Sequence, residues 1–353
     1  MLNMGLKHRL YGAAFAGLAA AGAPRWAGSG LRGLGGILML HHVRPWVERE
    51  FAPNRLLEVT PEFLDLALTR ARAAGYRFVP LDEAVDAVEA GRVDQRVLAL
   101  TFDDGYRDNL EHALPVLRAH GAPATIFVTP GFVERSAELW WLDLEDAIAR
   151  AAQVSASIGG ETLDLPASTA AQKSAAFETI YWRLRARPEP ELRAVIAGLA
   201  REQGVDSRAT AERLCLDWDG VRRLAADPLI AIGAHTLTHP MLAKHDAETA
   251  RREMAESKAI LEKELGAPVR HLAYPVGDRS SAGPRDFALA RELGFRSAVT
   301  TRRGMLFPEH ARHLTALPRI SLNGFFQDPG QFEVLLSGVP FWLWNRGRRV
   351  DAA

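Results

Sequence analysis

The sequence predicts an α/β fold of parallel strands joined by crossover helices, and three observations carry that expectation. Short apolar runs recur along the 353 residues, segments of helical periodicity lie between them, and cap or turn residues mark the boundaries. Alternation of this length leaves room for one helix per crossover, as parallel pairing requires.

In chain order, residues 37–43, 96–102, 124–128, 229–234, 269–274 and 296–300 read as buried strands rich in Val, Ile, Leu, Phe or Ala. Thr60-Pro61-Glu62 opens a helix with an N-cap and a proline at the first helical position. Asp246 starts a long charged helix in which Met254, Leu261 and Leu265 share one face, and Gly266 ends it. Residues 284–293, followed by Gly294, form another helix. From about 134 to 214 the rhythm changes to mostly helix, except that 154–165 alternates around Gly159-Gly160 as a hairpin does. This stretch reads as an insertion between two barrel strands that forms one side of a substrate groove. The expected organisation is an N-terminal helical segment at 1–34, a barrel domain at 35–325 with the insertion at 134–214 inside it, and a C-terminal helix with an aromatic-basic tail at 326–353.

Lys plus Arg equals Asp plus Glu at 43 each, so no net field draws the protein to nucleic acid. Cys215 is the only cysteine, which excludes an intrachain disulfide and a cysteine metal cluster. Lys7, His8 and Arg9 before the apolar run 10–23 fit either a short signal peptide or a surface helix. The run Val339-Pro340-Phe341-Trp342-Leu343-Trp344, followed by Arg346, Arg348 and Arg349, fits either a core-capping segment or an interfacial anchor touching a membrane peripherally. A cytoplasmic or membrane-peripheral location is expected ahead of secretion.

Two motifs carry chemistry. Thr101-Phe102-Asp103-Asp104-Gly105-Tyr106 follows the strand at 96–102, so two adjacent carboxylates stand at a strand end and point in different directions. One can ligate a metal while the other faces a water, and Gly105 permits a sharp turn that frees the next amide. His235-Thr236-Leu237-Thr238-His239-Pro240 follows the strand at 229–234 and brings two imidazoles to one side of a turn. His42, Asp103, Asp104, His235, His239 and Tyr274 all fall at C-terminal ends of predicted strands, where active sites of parallel barrels gather. Gly28-Ser29-Gly30-Leu31-Arg32-Gly33 matches a dinucleotide fingerprint but precedes a strand, so it is discarded.

With both motifs in order, the chain resembles the polysaccharide deacetylase family, whose T-F-D-D-G motif is matched by Thr101 to Gly105 and whose H-[ST]-x-x-H motif is matched by His235 to His239. The resemblance implies a distorted (β/α) barrel of about seven parallel strands with a mainly helical insertion. It also implies a divalent metal, commonly zinc, on Asp104, His235 and His239, with Asp103 as general base. Two departures stand out. Ala273 occupies the place of the arginine in the family's R-x-P-Y motif, and the late L-x-H histidine is missing, with His310 and His313 nearby in a different context. His42, at the end of the first strand, is the substitute expected as general acid. Substrate contacts are expected from the Tyr106 amide, Tyr274, Pro275 and Trp218. The function implied is metal-dependent removal of N-acetyl groups from an amino-sugar polymer or oligosaccharide. The alternatives are hydrolysis of a formamide or cyclic imide, and a non-catalytic carbohydrate-binding relative.

Overall fold

The computed structural model describes residues 4–352. Seven parallel strands close into a barrel: β1 Gly35–Leu40, β2 Val97–Phe102, β3 Ala124–Val128, β4 Ile230–Ala234, β5 His271–Ala273, β6 Ser297–Arg303 and β7 Leu317–Ser321. Each pairs with its neighbour in chain order, and β1 pairs with both β2 and β7, which closes the ring. Six of the seven correspond to predicted runs. The seventh, Leu-Pro-Arg-Ile-Ser, carries too few apolar residues to stand out by its composition.

The strands are buried on both faces, which is why they read as continuous apolar runs. Parity then sorts the side chains. Leu38, Leu40, Leu98, Leu100 and Phe102 pack outward against the surrounding helices. Ile37, Val97, Ala99, Phe127, Val299 and Leu317 pack instead with helix Leu81–Ala90, in a separate cluster inside the ring. That alternation (period 2) continues up each strand, so odd-numbered positions on β1, β2, β6 and β7 supply the upper interior, where the chemistry lies.

The helices start where the caps predict. Thr60 accepts a hydrogen bond from Phe63 N at 3.1 Å ahead of Pro61–Ala73. Asp246 accepts from Thr249 N at 2.7 Å ahead of Ala247–Leu265, which ends at Gly266. Between β3 and β4 the chain forms helices Trp140–Arg150, Ala170–Arg185, Glu189–Glu202 and Ser207–Leu214, with the hairpin Gln153–Ile158/Glu161–Pro166 turning at Gly159-Gly160. These elements bury their own apolar cluster around Trp140, Leu144, Ile148, Ile180 and Leu192. Helix Met4–Ala20 packs on helix Pro329–Leu336. In the final helix, Val339–Trp344, Val339 and Phe341 are buried while Trp342 and Leu343 face outward. Among the described residues no helix is long and apolar enough to cross a membrane.

Candidate active site

The C-terminal ends of β1, β2, β4, β6 and β7 open into a cleft of about 360 Å³. Asp103 and Asp104 sit at its base, both almost fully buried. Adjacent carboxylates diverge here because Asp104 and Gly105 both adopt left-handed backbone, with φ of 72° and 66°. A non-glycine residue there costs on the order of 1–3 kcal/mol, which the surrounding structure has to hold. The turn keeps Asp103 in the interior parity of β2 and swings Asp104 towards the end of β4.

There Asp104 Oδ1 meets His235 Nε2 at 3.3 Å and His239 Nε2 at 3.4 Å. The histidine loop is also strained, with Thr236 at φ 62° and His239 at φ 60°. It is fixed by a hydrogen bond from His239 N to Thr236 Oγ1 at 3.1 Å and by Glu253, which accepts from Thr238 N at 2.8 Å and Thr238 Oγ1 at 2.7 Å. From the insertion, Arg193 donates to the backbone carbonyls of Thr238 and His239 at 3.3 and 3.1 Å. His235 Nδ1 lies 2.8 Å from the carbonyl of Ala273, which orients the ring and turns Nε2 towards Asp104.

A divalent ion fits this set. One carboxylate oxygen and two imidazole nitrogens converge within 4.8 Å of one another. Asp104 Oδ1 is buried and, among the described residues, has no well-aligned hydrogen-bond donor, the two Nε2 atoms beside it facing a shared point, an arrangement rarely tolerated unless a ligand completes it. Burial opposes the charge of Asp104, but the two imidazoles beside it hold the carboxyl well below the usual carboxylate range. Three protein ligands with open positions are the pattern of a catalytic centre.

Asp103 is set up differently. Arg319 of β7, fully buried, clamps it with Nη1 on Oδ1 and Nη2 on Oδ2, both at 2.7 Å. The guanidinium is itself held by Nε donating to the Thr300 carbonyl at 2.9 Å and Nη1 to Thr101 Oγ1 at 3.1 Å. Burial alone would raise the Asp103 pKa, but the Arg319 charge outweighs it and keeps the carboxylate ionised below its ordinary value. Arg319 thus supplies the arginine that Ala273 withholds, from a different strand. Sequence reasoning missed it because it missed β7.

The expected general acid needs correction. His42 does not face the cleft: its ring is buried, stacked on Tyr106 at 3.5 Å, with Nδ1 2.6 Å from Asp108 Oδ2. The physical reason is that β1 ends at Leu40, after which His42–Val43 leaves the barrel to pair with Glu58–Val59. His41 lines the cleft instead, with Nε2 3.9 Å from Asp103 Oδ2. Parity along Ile37 and Met39 would have found it.

Among the described residues, Tyr274, Pro275, Trp218 and the Tyr106 side chain do not line the cleft. Tyr274 turns outward, donating its hydroxyl to the Thr315 carbonyl at 2.8 Å and packing on Phe287. Pro275 is buried, and Trp218 begins the helix Trp218–Ala225 on the outer layer. Among the described residues the Tyr106 amide finds no hydrogen-bond acceptor. His310 is occupied elsewhere, its Nδ1 accepting from Phe307 N at 3.0 Å, and burial pushes its pKa down to about 4. The aromatic wall comes from Trp140, Trp141 and Tyr181 of the insertion, and Trp141 packs 4.8 Å from the His239 ring.

Comparison with known proteins agrees with the geometry. The family model described as polysaccharide deacetylase matches residues 90–186 and 193–298. The Bacillus subtilis (strain 168) protein named "Putative polysaccharide deacetylase YxkH" is 31% identical over 91 residues, which is 26% of this chain. The match spans only 31% of that relative's own length. Among solved structures, the Streptococcus pyogenes deacetylase PplD in complex with acetate aligns at TM-score 0.55 and 20% identity, covering 84% of this chain and 95% of that one. IcaB from Ammonifex degensii aligns at TM-score 0.51 and 18% identity, covering 84% and 96%. At those identities the two structures speak for the fold.

Proposed function

The chain belongs to the polysaccharide deacetylase family, and from that premise we propose that it hydrolyses the acetamide of an N-acetylated amino sugar in a polymer or oligosaccharide. The observation that carries the reading is the pairing, in one cleft, of an arginine-clamped free carboxylate with a carboxylate–bis-histidine set. A carbohydrate-binding protein has no use for both.

Asp104, His235 and His239 would hold a divalent ion, and zinc suits one oxygen and two nitrogen donors. Such an ion, when bound, supplies Lewis-acid polarisation of the acetamide carbonyl and acidification of water. Asp103, kept ionised by Arg319, accepts a proton from the attacking water. The unengaged Tyr106 amide is the protein donor assigned to the carbonyl oxygen as negative charge develops on it. His41 donates a proton to the departing amine. Burial lowers its pKa against the pull of Asp103 and Asp104, and a weakly basic imidazolium is a correspondingly good acid. The C–N bond breaks as the amine takes that proton, and proton return from Asp103 to His41 restores both groups, leaving acetic acid and the amine, which become acetate and ammonium in neutral water. Trp140, Trp141 and Tyr181 offer apolar ring faces to the sugar.

The test is acetate release from N-acetylglucosamine oligomers, with and without a chelator, followed by zinc or cobalt add-back. Release that the chelator stops and metal restores is expected, and His41→Gln should slow it by about 10²-fold, the low end for a lost general acid. Acetate release indifferent to chelation would overturn the metal role, and no release from any oligomer by metal-loaded protein would overturn the substrate class.

A further inference from the structure

The cleft does not end at the catalytic groups. It continues between helix Met4–Ala20 and the C-terminal helices Pro329–Leu336 and Val339–Trp344, where Tyr11, Phe15, Phe326, Leu335, Phe341 and Trp344 line it. Three ring pairs in this arm pack edge-on, Phe15 on Phe326 at 5.4 Å and 76°, Phe15 on Trp344 at 6.1 Å and 84°, and Tyr11 on Trp344 at 5.6 Å and 81°, while Phe341 lies tilted at 34° to Trp344 at 6.2 Å. Edges and aliphatic branches make an irregular apolar wall without one flat face for a pyranose. A glycan continuing into this arm would leave its hydroxyls buried without partners, which disfavours each one. A flexible hydrocarbon chain meets no such penalty.

One cation marks the junction. Arg303, next but one after Thr301 on β6, lines the same cleft with its guanidinium 4.4 Å from the Trp344 ring centre. Among the described residues it pairs with no carboxylate. A guanidinium left free beside an aromatic plane is well placed for a phosphate oxygen. The flanking helices also present large apolar side chains to solvent, Leu10 at 53%, Trp342 at 50% and Leu343 at 54% exposed.

Building on the deacetylase reading, we infer that the amino sugar reaches Asp103 on an apolar chain through a phosphate, so that the substrate is lipid-linked: sugar at the carboxylates, phosphate at Arg303, hydrocarbon along the Phe15–Trp344 arm. The junction of free guanidinium, apolar arm and catalytic base in one continuous cleft carries the assignment.

The experiment compares two probes on the full chain, N-acetylglucosamine 1-phosphate and the same compound esterified to a ten-carbon isoprenyl chain. Binding is read by tryptophan fluorescence and turnover by acetate release. The chain is expected to tighten binding at least tenfold. Arg303→Gln and Trp344→Ala should each lose at least fivefold on the isoprenyl probe, and Arg303 is exposed enough for its variant to fold. Equal affinity for the two probes, or an Arg303→Gln protein that binds the isoprenyl probe as the parent does, would overturn the inference. Acetate from neutral oligomers alongside chain-independent binding would sink the lipid assignment and leave the deacetylase reading standing. Chain-dependent binding with no acetate from any substrate would sink the deacetylase reading, and with it the lipid-linked sugar as substrate.

Discussion

The barrel mouth and the first helix of the insertion, Trp140–Arg150, both bury carboxylates, and they treat them in opposite ways. At the mouth, Asp103 faces a bidentate arginine and Asp104 two imidazoles, so both stay charged despite nearly complete burial. In helix Trp140–Arg150, Asp143 and Glu145 are buried with no cationic partner in hydrogen-bond range among the described residues, and burial pushes each pKa up to about 7. Glu145 accepts a hydrogen bond from the neutral Asn54 Nδ2 at 2.8 Å. A protein keeps a buried carboxylate ionised only where it supplies a counter-charge, as it does at the mouth and again at Glu189, which Arg193 meets at 2.8 Å, but not in helix Trp140–Arg150.

The sharpest way to break the contrast is to remove the charge that the mouth protects. Asp103→Asn should lower kcat by about 10³-fold or more, the scale of a lost general base, while ion binding measured by titration stays at one per chain. Turnover near the parent level would show that the base lies elsewhere. The next step is to remove the counter-charge. Arg319→Met leaves Asp103 buried and unpaired, a loss of about 3–5 kcal/mol in stability for such a break. Without Arg319 the Asp103 pKa rises, so the acid limb of the kcat/KM profile should move to higher pH. A limb that stays put while stability falls would reduce Arg319 to a packing role.

The smallest effect lies in the insertion. With the Asp143 pKa near 7 in the folded protein and near its ordinary value when unfolded, the native state holds a proton that the unfolded state releases between those limits. Its contribution to stability is therefore complete below the ordinary value and is lost as pH rises through about 7. Asp143→Asn should flatten the fall in Tm between pH 5 and pH 8 by a few degrees. An unchanged slope would mean that other groups set it.

Most of this architecture is visible in the residues, and what is hidden has a physical cause. Strands β2, β3 and β4 read cleanly because both faces are buried, and the Asp-Asp-Gly and His-x-x-x-His motifs sit directly after two of them. β7 hides because its interior position carries Arg319 where apolar residues are expected, so the missed strand and the missed functional residue are the same five positions. A barrel lacking one strand, with its base lacking an arginine, was a double signal pointing to that segment. The His41–His42 exchange arises at the strand end: 37–43 reads as one continuous run, whereas the barrel strand stops at Leu40 and His42–Val43 belongs to a separate pairing. Tyr274 stands at a strand end and Trp218 offers a ring face, but neither a strand-end position nor residue type tells the inner face of a barrel from the outer.

Arg193 grips the carbonyls on either side of a proposed ligand, and it stands on a helix that interrupts the barrel between β3 and β4. The interrupting segment is therefore not a detachable module. Shortening it to reach a minimal enzyme would unmoor His239 along with the aromatic wall, and any lineage trimming this loop would need to brace the histidine turn from somewhere else first.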